Sequence, residues 1–367
     1  MGIKIIKSEK SWIEGSAVQQ LESVAKLPGV LKVIGYPDLH PGKGFPVGAA
    51  FASEGMIYPF YVGNDIGCAI SFWQLNLLHR KIKKDKAARK LESFELQDID
   101  DLIVEYPVTE FNKAGIDNLG TIGQGNHFAE LQITEKIYNP EIFTSLNLDK
   151  ENVMLAIHSG SRYLGESILR NYVDKHKDNG VLASSEDGQL YLKQHDAAIE
   201  YAAKNRSLIA NKIMKCLDTT GECISDICHN SVTETELDGK SVFIHRKGAA
   251  RSDRGAVMIA GTRGTLSYLV MPLGSHEDTL WSIAHGAGRK YGRNAIKDRL
   301  KGKVNKDQLR QTRIGGLVIC DDNDLLFEEA PEGYKDIESV IEDLKRAGLI
   351  EVIASFKPIV TYKRWGR

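Results

Sequence analysis

Metal-ligand-type side chains, each set in a short Gly- or Asn-rich segment and spread over most of the chain, constrain the fold more than any other feature. Asp65 and Cys68 lie in VGNDIGCAI, His127 in GTIGQGNHFAEL, His158 in HSGSR and His229 in CHNSV. Imidazole, thiolate and carboxylate hold divalent transition metals, and small neighbours let the backbone turn sharply so that an anionic ligand comes close. Alone, each histidine reads as a satisfied structural residue and Cys68 as a buried free thiol. Their joint occurrence in similar settings reads as one metal site, and widely separated segments must then converge.

Composition agrees with such a fold. At 42% apolar and 26% charged, 367 residues are enough for a large core and do not describe a disordered chain. A net charge of -1 argues against a protein that coats nucleic acid, but leaves room for a local basic groove. The runs Arg80 to Lys90 and Lys363 to Arg367 are local basic excesses and read as solvated surface unless a partner claims them. Five cysteines without a CxxC pair suggest neither a disulfide framework nor a zinc ribbon, so a reducing, cytoplasmic compartment is expected. No window has the length of a signal-peptide core or a membrane span.

Ten dispersed prolines and no linker-like stretch favour one intertwined domain over residues 1–367. GFPVGAAFA and CAISFWQLNLL read as buried strands. Leu192 to Cys216 has helical period and puts Asn205 on the apolar face, where a buried amide needs a partner or a ligand. Asp238-Gly239 predicts a two-residue hairpin with Leu237 opposite Lys240, Asn230 opposite Lys247 and His229 opposite Gly248. Its open end is expected to gather His229, Asn230, Arg246 and Lys247. Asp336 to Gly348 predicts an amphipathic helix, and Ile350 to Tyr362 a final strand.

Several segments carry further chemistry. GTIGQGN is a weak dinucleotide fingerprint, because the helix and distal acid that should accompany it are absent; its glycines better serve to bring Asn126 and His127 close to a nucleotide and a metal. In HSGSR, small residues leave Arg162 free to reach an anion. In HGAGR, Gly286 and Gly288 are expected to open a helix carrying Arg289 and Arg293 on one face, an anion site. His285 at its mouth has three open roles: metal ligand, general acid, or nucleophile toward phosphorus.

Together these segments resemble the RtcB family of RNA-splicing and RNA-repair ligases. The match runs in order through YPDLHPGKGFPVG, VGNDIGCAI, GTIGQGNHF, HSGSR, YAAKNR, CHN, HRKGAAR, AGTRGTLSY, HGAGR, EAPEGYKD and VTYKRW. The resemblance implies an α+β fold with mixed sheets around a central dinuclear manganese centre, held by Asp65, Cys68, His127, His158 and His229, with Cys68 bridging. Zinc would suit the same donors. It also implies a GTP site made by Asn126, His127, Phe128, Ala129, Glu130, His229, Asn230, Ala260, Gly261, Thr262, Arg263, Ser267, His285, Gly286, Ala287, Gly288, Tyr334 and Lys363. His285 would take GMP and pass it to an RNA 3′-phosphate, and a 5′-hydroxyl end would then seal the strand. A 2′,3′-cyclic phosphate end would first be opened.

The chain departs from the family pattern at Lys43, in the AGT turn Ala260 to Thr262, at Arg263 and after the HN pair. These changes resemble a subgroup encoded beside a release-factor homologue, so an accessory activator or release-factor-like partner is an expectation. The other readings are a metal-dependent phosphoesterase that opens cyclic phosphates, and a non-catalytic module that binds RNA ends.

Overall fold

A computed structural model describes residues 2–9, 11–93 and 118–364. Residues 365–367 of the basic tail lie outside the described residues. The hairpin forms in the expected register, with Leu237 opposite Lys240 and Asn230 opposite Lys247. Asp238 and Gly239 both have positive φ, 51° and 73°, as the tight two-residue turn requires.

Its open end differs from expectation. Successive strand residues point to opposite faces, so Arg246 and Lys247 part company. Arg246 is buried, donating to Ser282 Oγ and Thr233 Oγ1, while Lys247 faces the cleft described below. His229 lies just outside the ladder. Its carbonyl accepts from Ala249 N at 3.0 Å, and the Gly248 amide donates to Asn230 Oδ1 at 2.8 Å.

This hairpin completes a five-stranded mixed sheet, ordered Gly2–Ile5, Val30–His40, Val47–Ser53, Lys240–Lys247, Asn230–Leu237. A second sheet orders Val257–Ile259, Ser267–Pro272, Ile350–Arg364, Phe128–Ile137, Asn152–Ser159, Ala69–Leu78 and Gly221–Cys228, with Leu317–Cys320 parallel to the long final strand. Early and late segments therefore interleave in both sheets. One core joins the two sheets through Ile34, Tyr36, Ile244, Ile259 and Val270, and also takes in the helix Ile337–Arg346. That helix buries Ile337, Val340, Ile341 and Leu344 as the sequence pattern requires.

The other large core lies between the second sheet and the helix Glu186–Leu217, whose Ile209, Ala210 and Ile213 meet Leu131, Leu155 and Val360. The helix begins six residues earlier than its apolar period suggests, because Ser185 caps it by accepting from Gly188 N at 3.1 Å. Asn205 is fully buried and finds protein partners. Its Oδ1 accepts from Gly120 N at 2.8 Å, and its Nδ2 donates to Ser159 Oγ at 3.1 Å and Thr121 O at 3.2 Å. Arg206 beside it donates to Gly67 O and Ser159 O, both at 2.9 Å, and forks onto Asp226. Two neighbouring helix residues thus tie together the loops around residues 67, 120 and 160. Asn205→Leu keeps volume but strands several buried groups, so unfolding free energy should fall by about 2–4 kcal/mol in a denaturant titration.

Candidate active site

The expected metal ligands converge at one edge of the second sheet. Strands Phe128–Ile137, Asn152–Ser159, Ala69–Leu78 and Gly221–Cys228 are antiparallel neighbours, so N-terminal and C-terminal ends alternate along that edge. His127 immediately precedes the first, His158 closes the second, Cys68 precedes the third and His229 follows the fourth. Cys68 Sγ lies 3.4 Å from His127 Nε2 and 3.2 Å from His158 Nε2, and His158 Nε2 lies 3.3 Å from His229 Nε2. Asp65 Oδ2 is 2.7 Å from His127 Nε2. The glycine after Ser159 is required here: a Cβ on Gly160 would fall 2.1 Å from Asp65 Oδ1.

Electrostatically this is an unfinished site. Burial pushes the His158 and His229 pKa values well below their ordinary range, so both rings are neutral. Burial and the neighbouring Asp65 push the Cys68 thiol well above its usual value. Burial alone would raise Asp65, but His127 holds it down to about 2. The neutral rings of His158 and His229 therefore crowd together with a protonated thiol. A divalent cation would relieve that crowding and lower the thiol pKa. Cys68, His127 and His158 each offer a ligand atom within 4.8 Å of the others, with Asp65 and His229 hydrogen-bonded to the same group.

His285 lies next to this cluster, its ring centroid 4.6 Å from that of His229. The expected helix entrance is absent at this point: His285 leaves the short strand Ser282–Ala284, and the helix starts only at Arg293. Arg289 and Arg293 therefore share no helix face. Both instead reach the buried carboxylate of Glu329. His285 is fixed by Asp38, whose Oδ2 accepts from Nδ1 at 2.7 Å and from the backbone N at 3.2 Å. That bond puts the proton on Nδ1 and leaves an Nε2 lone pair. Gly288 lets the loop close, since a Cβ there would lie 2.2 Å from the Asp38 carbonyl.

A cleft of about 1060 Å³ opens over both groups. Its walls include Asn126, Phe128, Glu130, Asn230, Ala260, Gly261, Thr262, Arg263, Gly286, Ala287, Gly288, Tyr334 and Lys363. Three expected contacts, His127, Ala129 and Ser267, stand behind the wall. Ala129 alternates with Phe128 and Glu130 and packs into the core. Ser267 accepts from the Gly261 amide at 3.1 Å and supports that turn. Arg162 is outside the cleft, with its guanidinium packed over Gly123.

Glu130, Lys363 and Glu329 form a polar end wall. Burial raises Glu130 to about 7, opposed by hydrogen bonds from Thr361 and Gln132. Burial lowers Lys363, whose Nζ lies 3.6 Å from Glu329 Oε2. Arg263 is buried, donates to Leu326 O at 2.8 Å and leaves Nη1 without a hydrogen-bond partner.

The sequence reading passed over Asp38, Lys43 and Glu329 as site residues, whereas Lys247, expected at the open end of the hairpin, does line the cleft. Asp38 could have been found: it is an acid inside the otherwise apolar start of YPDLHPG. Glu329 sits in EEAPEGYKD, where nothing local separates it from Glu328.

Comparison with known proteins agrees with this geometry. The family model described as tRNA-splicing ligase RtcB matches residues 20–99 and 104–364. An RNA-splicing ligase RtcB2 of Escherichia coli is 44% identical over 367 aligned positions, covering 98% of this chain and 95% of that protein. A tRNA-splicing ligase RtcB of Thermococcus kodakarensis is 31% identical, covering 93% of this chain and 90% of that protein. With nearly the whole chain matched, and its motif residues gathered at one cleft, this protein belongs to the RtcB family.

Proposed function

We propose that the protein is a GTP- and manganese-dependent RNA ligase. It joins an RNA 3′-phosphate or 2′,3′-cyclic phosphate end to a 5′-hydroxyl end, in RNA repair or splicing. The observation that carries this reading is the Asp38–His285 pair beside the Asp65, Cys68, His127, His158 and His229 cluster, at a cleft lined by Asp65, Cys68, His158, His229 and His285. Neutral His285, held by Asp38, attacks the α-phosphorus of GTP through Nε2. A nitrogen–phosphorus bond forms, the bond to the β-phosphate oxygen breaks, and pyrophosphate leaves. An RNA 3′-phosphate oxygen then displaces His285 and takes the GMP. The 5′-hydroxyl attacks the activated 3′-phosphorus, losing its proton as GMP departs.

Divalent cations held by the five ligands would neutralise the phosphates and polarise their oxygens. The Glu130 carboxylate would accept from a guanine edge, and Lys363 would donate to O6. Thr262 and the amides of the Gly261 and Gly286 turns suit the rest of the nucleotide. A cytoplasmic, reducing location belongs to the same reading, because Cys68 must stay a thiol. So does a release-factor-like functional partner. No helix among the described residues is long and apolar enough to cross a membrane.

Incubation with α-labelled GTP and manganese tests the reading. A covalent acid-labile adduct supports a ligase; cyclic-phosphate opening without an adduct leaves a phosphoesterase, and neither activity leaves an RNA-end binder. His285→Ala should abolish the adduct while metal content stays near wild type. Cys68→Ser should lower occupancy of both metal positions together, since it removes a charged soft donor from the centre of the cluster; full dual occupancy by metal analysis would contradict bridging. Lys363→Ala should weaken GTP use by about 1–3 kcal/mol of transition-state stabilisation and spare the weaker use of ATP. An unchanged GTP-to-ATP ratio would move base selection to Glu130 or Ser267.

A further inference from the structure

The strongest feature that the cleft does not use is a charge imbalance beside it. Between Arg289 and Arg313, ten Lys and Arg residues face only Asp298 and Asp307, a net +8. Because the whole chain carries -1, everything else sums to -9. Much of the local charge is answered in place. Arg289 and Arg293 meet Glu329, Lys297 meets Asp324 at 2.5 Å, Arg310 meets Asp307 and Arg313 meets Glu332. Lys301, Lys303 and Lys306 are different. All three are exposed, and none makes an ion pair among the described residues.

Lys301 and Lys306 belong to one surface, and Lys303 lies between them in the chain. Lys301 and Lys306 act with Lys297 on the Asp324 carboxyl, which Lys297 chiefly holds below its ordinary value through a direct hydrogen bond. The surface also has a fixed relation to the cleft. Gly292 to Ala295 line the cleft wall, and the helix Arg293–Leu300 runs about 12 Å from there to Lys301. Lys303 and Lys306 lie beyond it, at the turn into the helix Lys306–Leu309.

We propose that Lys301, Lys303 and Lys306 form a docking track for the phosphate backbone of an RNA strand whose reactive end lies in the cleft. The inference rests on the ligase reading for its choice of partner. A polyanion with regularly repeated charge suits a row of unpaired ammonium groups leading away from a phosphate-handling centre. The track reads no bases: lysines on a solvated face contact phosphate and release counterions without hydrogen-bonding to base edges. It lengthens the footprint beyond the terminal nucleotides and leaves nucleotide chemistry at His285 untouched.

The test combines Lys301→Ser, Lys303→Ser and Lys306→Ser and compares binding of a long single-stranded RNA 3′-phosphate with that of a 3′-phosphorylated trinucleotide, across a salt series. Affinity for the long strand should fall about tenfold or more at low salt, and the slope of log affinity against log salt should become shallower by about 2, near 0.7 per lost contact. Trinucleotide binding and GMP labelling of His285 should stay at wild-type levels; the latter also shows that the variant is folded. Charge reversal in K301E/K303E/K306E should deepen the loss. Unchanged long-strand affinity and slope in both variants overturn the track, and so does a wild-type protein that does not distinguish the two RNAs. If wild type gives no GMP adduct yet the variants still lose the long strand, the track stands and the ligase reading fails. A normal adduct with unaltered RNA binding sinks the track alone.

Discussion

Antiparallel pairing of four neighbouring strands is the constraint on which the rest of the site depends. In a parallel sheet all the C-terminal ends share one edge, whereas here the edge collects two strand beginnings and two strand ends. Cys68 and His127 enter the sheet there, and His158 and His229 leave it. The ladder bonds that set the register also set the ligand spacing: Phe128 pairs with His158, Ile70 with His158 and Ala69 with Cys228. A slip of one residue would turn each of these side chains to the other face. Arg206 guards against such a slip by holding the carbonyls of Gly67 and Ser159 from a helix packed across the sheet.

Charge burial is handled differently at the two ends of the cleft. At the polar end wall Glu329 is buried, and burial alone would raise its pKa. Lys363 and Arg289, with Arg293 further out, reverse that and keep it ionised. Tyr334 donates to the same carboxylate. The charges around Glu329 are paired internally, which stiffens that end before any ligand arrives, while Arg263 Nη1 beside them has no hydrogen-bond partner. At the metal-ligand end the protein offers the neutral rings of His158 and His229 and a thiol, with the Asp65 carboxylate acting on Cys68. One end pairs its charges within the protein, and the other presents donor types that suit divalent cations.

Much of this arrangement was legible in the sequence, for identifiable reasons. The hairpin register followed from the turn residues Asp238 and Gly239, because a two-residue turn fixes every pair behind it. Asn205 announced itself as a buried amide on an apolar helix face, and the structure supplies its partners in the loops at Gly120, Thr121 and Ser159. What local reading missed depends on distance in the chain. Asp38 meets His285 across 247 positions, and no spacing rule links them. The Arg289 and Arg293 pattern looked like one helical face, yet the backbone stays irregular until Gly292, because the loop must first bridge to Ala260 and Tyr334. Arg246 looked like a site cation from its neighbours, but strand alternation turned it into the core.

The placement of His285 follows from the same division between rigid and adaptable parts. A histidine bonded through both its ring and its backbone holds one orientation. His285 is carried at the end of a strand, on a loop whose backbone is bonded to Ala260 and whose ring is bonded to Asp38. Asp38 is fully buried at the far end of a different sheet. The imidazole is thus positioned by the first sheet and the ligand cluster by the second, so the two meet at one cleft only when the two sheets pack in this one way. The shared core of Ile34, Tyr36, Ile244, Ile259 and Val270 fixes that packing, which makes an apolar contact far from the chemistry part of its geometry.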